Sequence, residues 1–125
     1  MFRLLVLTKR KPGMSREQFR DYYENSHACL VQRITPLMRK YRRSYLTPVQ
    51  GGPAENEEPP YDCLAEVWFD READFRHTLT SLTADPYTIA ALVEDEEKLF
   101  DRAKTRWFTA AEAELPAPGP AGKSL

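Results

Sequence analysis

Apolar and polar positions alternate along residues 2–9, with Phe2, Leu4, Val6 and Thr8 on one side and Arg3, Leu5, Leu7 and Lys9 on the other. That period of two predicts a first strand. Apolar residues on both sides predict that both faces are at least partly covered. After a Lys11-Pro12-Gly13 turn the period changes. Phe19, Tyr22, Tyr23, Ser26, His27, Leu30, Val31 and Ile34 fall on one helical face, while Arg16, Glu17, Arg20, Asp21, Glu24 and Gln32 are left mostly for solvent. Ser15 followed by Gln18 predicts a capping-box start. Thr35-Pro36 predicts the end, because proline disfavours helical geometry in the residue before it. A short helical turn over 36–40 has proline at its first position.

Residues 41–49 read as a second strand, 50–60 as a polar Gly, Pro and Glu loop, and 61–69 as the clearest strand. In that third strand Tyr61, Cys63, Ala65, Val67 and Phe69 alternate with Asp62, Leu64, Glu66 and Trp68. A second helix over 71–82 turns Phe75, Leu79 and Leu82 inward, and Asp85-Pro86 opens a further helix to about 99. The last strand is 102–110, around Trp107 and Phe108. The domain therefore spans 1–112. Residues 113–125, rich in Pro, Gly and Ala, read as a disordered tail.

Strand, helix, strand, strand, helix, strand is the ferredoxin-like split βαβ plan of the α+β class, with helices on one face of a four-stranded antiparallel sheet. The other face then carries Leu5, Leu7, Leu64 and Trp68, or their counterparts at the alternate positions if the phase is reversed. A patch of that kind favours a cover, and a second copy of the same sheet supplies one. The expected partner is therefore a second copy of this chain, in a homodimer.

Composition narrows the function classes. In 125 residues the formal net charge is −1, which gives no bias toward nucleic acid or anionic membranes. The longest apolar run falls far short of a membrane span, and the opening FRLLVLT run is too short for a signal peptide. Cys29 and Cys63 make no disulfide framework; both read as reduced and buried, and the expected location is cytoplasmic. No motif for a metal, flavin, nicotinamide or nucleotide phosphate is present, so the expectation is no cofactor.

Titratable chemistry coincides with predicted burial at one place, His27. Imidazole titrates near neutrality and suits proton transfer at a carbonyl or enol; the alternative is a buried structural histidine. Tyr22, Tyr23, Tyr41 and Tyr45 are phenols able to polarise a carbonyl or to line a flat aromatic cavity, or simply to pack. Tyr23 lies one turn before His27. Tyr23 and Tyr45 are the first and second choices as hydrogen-bond donors, and Phe19, Tyr22 and Tyr41 are candidates for the wall. Glu66, with Trp68 as a further wall residue, either meets the cavity or pairs with an arginine such as Arg43 or Arg106. His77, between Arg76 and Thr78, reads as solvated and inert.

The segment KRKPGMSREQFRDYYENSHACLV, with its F-x-x-Y-Y-x-x-x-H core, resembles the opening of the EthD family, and YDCLAEVWFD and the Asp95-Glu96…Phe100-Asp101 segment resemble later parts of it. The resemblance covers residues 2–108 and implies a dimeric α+β barrel. The motif's histidine falls on His27 and its tyrosine pair on Tyr22 and Tyr23. Family members include cofactor-free decarboxylases and dehydratases on aromatic intermediates. The barrel is also used by polyketide cyclases, monooxygenases and haem-degrading enzymes, so it fixes the fold better than the reaction. Three readings stand: a cofactor-independent lyase or cyclase on an aromatic or polyketide-like intermediate, an accessory protein binding a small hydrophobic ligand for an oxygenase, and an oxidative or haem-handling enzyme.

Overall fold

The computed structural model describes residues 1–119. Its elements are β1 (Phe2–Thr8), α1 (Arg16–Tyr22), a π-helical turn (Tyr23–His27), α2 (Ala28–Ile34), β2 (Lys40–Tyr45), β3 (Cys63–Phe69), α3 (Glu72–Thr83), α4 (Pro86–Glu97), a 3₁₀ turn (Arg102–Lys104) and β4 (Arg106–Phe108). All strand pairs are antiparallel, in the order β2-β3-β1-β4. This is the expected ferredoxin-like α+β architecture.

Local chemistry sets the helix ends. The Ser15 hydroxyl accepts from the Gln18 N–H, and the Gln18 side chain accepts from the Ser15 N–H, completing the capping box. Asp85 caps α4 by accepting from the N–H groups of Tyr87 and Thr88 at 3.1 and 3.2 Å. The first helix nevertheless differs from a plain α-helix. Between Tyr23 and His27 it widens, and the Ala28 N–H reaches back five residues to the Tyr23 carbonyl.

The register sorts side chains cleanly between the two faces. Leu4 lies opposite Val67, Val6 opposite Ala65 and Thr8 opposite Cys63; these, with Tyr41, face the helices. Phe19 is 1% exposed and packs edge-on against Tyr23 and Tyr45 at 5.7 and 6.1 Å between centroids. Burying such a ring is worth roughly 1.5–3 kcal/mol, and here it also fixes the position of Tyr23. The opposite face carries Leu5, Leu7, Leu64, Glu66 and Trp68, with no helix over it. Arg3, Lys40 and Arg42 lie over the Trp68 ring, with charged groups 5.7, 4.9 and 5.4 Å from its centroid.

Several boundaries depart from the sequence reading. β2 ends at Tyr45 because the chain turns toward Pro48, which has no N–H for the ladder. Residues 36–39 form a simple turn, with the Met38 N–H bonded to the Thr35 carbonyl at 3.1 Å, and the chain enters β2 at Lys40. β4 keeps three residues, because 102–104 coil into the 3₁₀ turn before the chain reaches the β1 edge. Cys63 is buried, but Cys29 is exposed, against the expectation that both are buried. Residues 109–119 carry no helix or strand. The expected disordered tail lies in part beyond them, since 120–125 fall outside the described residues. Among the described residues no helix is long and apolar enough to cross a membrane.

Candidate active site

The carboxylate of Asp95 organises the site. Asp95 sits on α4 facing the π-helical turn, and three side chains of the first helical segment converge on it. The Tyr22 and Ser26 hydroxyls donate to Oδ1 at 2.6 and 3.0 Å, and His27 Nδ1 lies 2.9 Å from Oδ2. Burial pushes the Asp95 carboxyl up, but the bonds from Tyr22, His27 and Ser26 outweigh it and leave the group below its ordinary value. Asp95 is therefore ionised at neutral pH.

His27 is 4% exposed. Burial lowers its pKa, the Asp95 hydrogen bond opposes this, and the net shift is downward from 6.5. A neutral ring beside an ionised carboxylate must donate through Nδ1, so the lone pair sits on Nε2. Nε2 has no hydrogen bond among the described residues. The ring is held edge-on by Tyr23 and Phe100, at 5.2 and 5.0 Å between centroids.

His27 lines a cavity of about 130 Å³ between the helices and the sheet. Its walls are mostly apolar, with Leu4, Val6, Val67, Phe75, Leu79 and Phe100 among them. No lysine or arginine lines it. For scale, an apolar cavity of roughly 150 Å³ holds a benzene ring. The end near Trp107, which is 52% exposed, meets solvent. Glu96 stands on the cavity lining and accepts from Arg102 Nε at 3.2 Å. Among the described residues no group of three or more His, Cys, Asp and Glu could hold a metal ion.

The structure brings together some of the candidate residues and separates others. His27, Tyr23 and Tyr41 share the cavity. The Tyr41 hydroxyl donates to the Tyr23 hydroxyl at 3.4 Å. Burial pushes the Tyr41 phenol up to about 12 and raises Tyr23 well above its ordinary value, so both keep their protons. Tyr45 lies behind Tyr23, its hydroxyl bonded to Glu24, and Phe19 lies behind both in the core. Tyr22 bonds to Asp95 rather than lining the cavity. Glu66 and Trp68 are on the other sheet face. Glu66 pairs there with Arg42, its partner in register, at 3.6 Å and with Arg3, two residues along β1 from its partner Leu5, at 3.2 Å, instead of Arg43 or Arg106. Arg43 instead holds Glu24, which accepts from Nε and Nη2 at 2.6 and 2.8 Å. This pairing and the Tyr45 bond keep the Glu24 carboxyl down at about 2, against the expectation of a solvated side chain. His77 is exposed, as expected.

Sequence reasoning missed Asp95 and Thr8. Asp95 hides in the run Glu94-Asp95-Glu96-Glu97, which reads as a solvated acidic patch. Its signal is phase: it follows Leu92 by three residues and precedes Leu99 by four, on the inward arc of α4.

Comparison with known proteins agrees with this fold. The family model described as "EthD domain" matches residues 11–103. A dehydratase, ustZ, of Ustilaginoidea virens is 30% identical over 125 residues, covering 85% of this chain and 82% of its own length. A decarboxylase, claH, of Passalora fulva is 28% identical over 112 residues, covering 82% and 70%. Among solved structures, an ethyl tert-butyl ether degradation (EthD) family protein of Bacillus halodurans superposes with a TM-score of 0.61 at 17% identity, over 90% of this chain and all of that one. The chain belongs to the EthD family.

Proposed function

We propose that this chain is a cofactor-independent lyase, of the dehydratase or decarboxylase type, acting on an oxygenated aromatic intermediate through His27 as general base. The observation that carries this reading is the His27–Asp95 pair at 2.9 Å, with the free Nε2 beside an apolar cavity. For dehydration, Nε2 takes the proton from the carbon next to a carbonyl. The enolate forms, its oxygen accepting from a Tyr23 or Tyr41 hydroxyl. The β-hydroxyl then departs as water, taking the proton back from the imidazolium, and the ring ends neutral as it began. Asp95 stabilises the transient imidazolium and holds the ring in place. The presence of a dehydratase and a decarboxylase among its relatives supports this class. The size of the cavity favours seating one ring inside, with any larger remainder toward Trp107.

The test is turnover of aromatic β-hydroxy ketones and aromatic acids, followed as a function of pH. Burial has pushed the His27 pKa below 6.5, so kcat/KM should stay level at neutral pH and fall on the acid side, with an apparent pKa under 6.5. Folding stability should follow the same sign. The unfolded chain takes up the proton near 6.5 and the folded one resists it, so stability drops as pH falls through that window. Activity that rises on acidification would contradict a neutral imidazole base. Tight ligand binding without turnover of any substrate would favour an accessory binding protein.

A further inference from the structure

Thr8 is 1% exposed, and its Oγ1 is buried without a hydrogen-bond partner. Buried hydroxyls nearly always have one. Thr8 ends β1 opposite Cys63 and lines the same cavity as His27. Its carbonyl is engaged, accepting from the Asp62 N–H at 2.8 Å. The position is rigid, because neighbouring Lys9 Nζ is tied to buried Asp62 at 3.1 Å. Of the other threonines around the cavity, Thr105 is only half-buried, and two differ in being bonded. Thr78 donates to the Asp74 carbonyl at 2.8 Å and Thr35 donates to the Val31 carbonyl, so their hydroxyls are already used by the helices. With no protein partner for the hydroxyl, the cavity that Thr8 lines is where one can be supplied.

We infer that Thr8 is a positioning residue that hydrogen-bonds a neutral oxygen, carbonyl or hydroxyl, of the aromatic ligand in the His27 cavity. This rests on the proposed ligand class but not on the proposed chemistry. A hydroxyl both donates and accepts, so it serves either oxygen. No lysine or arginine lines the cavity, and Glu96 stands on its lining with Asp95 behind the His27 ring. An ionised substrate oxygen would therefore find no cation there, and a neutral one is preferred.

The experiment is Thr8→Val, which keeps the shape and removes the hydroxyl. Binding of p-cresol and of p-xylene, similar in shape with a methyl in place of the hydroxyl, is measured by calorimetry on both proteins. A neutral hydrogen bond contributes about a five- to tenfold factor in affinity. Thr8→Val should lose about that factor for p-cresol and nothing for p-xylene. Its melting temperature should be unchanged or higher, because no protein hydrogen bond is lost. Equal loss for both ligands, or an unchanged p-cresol affinity, would overturn the assignment, as would a melting temperature lower by several degrees. If neither ligand binds the wild-type protein, the cavity reading falls and this assignment with it. Hydroxyl-dependent binding in a protein that turns nothing over would contradict the proposed lyase chemistry and leave Thr8 in place.

Discussion

Replacing His27 with alanine is expected to lower kcat by about 10²–10⁴-fold, the range a single general acid or base supplies. The fold should survive, because the ring touches the core around Phe19 and Leu99 only at its edge, through Tyr23 and Phe100, and is otherwise held by one hydrogen bond. The cost in stability has two parts. A small cavity opens beside Phe100, and Asp95 loses one of its three donors. Asp95→Asn should reproduce much of the kinetic loss by a different route. The amide can donate to Nδ1, which favours the tautomer with its proton on Nε2 and removes the lone pair from the cavity side. Its KM should change little, since Asp95 lies behind the ring. His77→Ala, at an exposed position on α3, should have no effect. Full turnover by His27→Ala would make the histidine structural.

A charge placed on the open sheet face is expected to convert a dimer into monomers. Leu5, Leu7, Leu64 and Trp68 lie on one side of the sheet and the helices cover only the other. Obligate homodimers bury roughly 2,000 Å² or more, and a four-stranded face is the surface on this chain broad enough to approach that. Leu64 faces Leu7 across the register and Ser44 on its other side, so Leu64→Asp would bury an unpaired carboxylate at the centre of the interface. Sedimentation should then show dimer for the wild type and monomer for the variant, with helix content unchanged. A wild type that sediments as a monomer at high micromolar concentration would contradict the proposed homodimer. The cations above Trp68 bear on the same point. Arg3 and Arg42 are engaged with Glu66, so the buried charge on this face is already paired within one chain.

The strands and the first helix were legible because their signals are local. Alternation in residues 2–8 and 63–69, and the capping box at Ser15, are properties of short windows, and tertiary packing had no reason to override them. The stripe of Phe19, Tyr23 and His27 likewise placed all three inside. What the sequence concealed depended on partners distant in the chain. The bond between His27 and Asp95 spans 68 positions, and nothing near either residue announces it. Tyr22, Ser26 and His27, four and five apart, meet one carboxylate from a widened turn that the run Tyr-Glu-Asn-Ser-His does not signal. Tyr45 and Trp68 show the converse limit. Strand phase told which residues share a face, and it could not tell which face meets the cavity or which aromatic stands one layer behind it.

The central claim is that His27 is neutral, carries its proton on Nδ1 toward Asp95 and presents a free Nε2. The most direct measurement is the ¹⁵N–¹H correlation spectrum of the histidine rings across pH. The chain has two histidines, and exposed His77 serves as the internal reference. A Nδ1–H tautomer for His27 at neutral pH and a titration midpoint below 6.5 are expected. An imidazolium at pH 7, or a proton on Nε2, would contradict that claim.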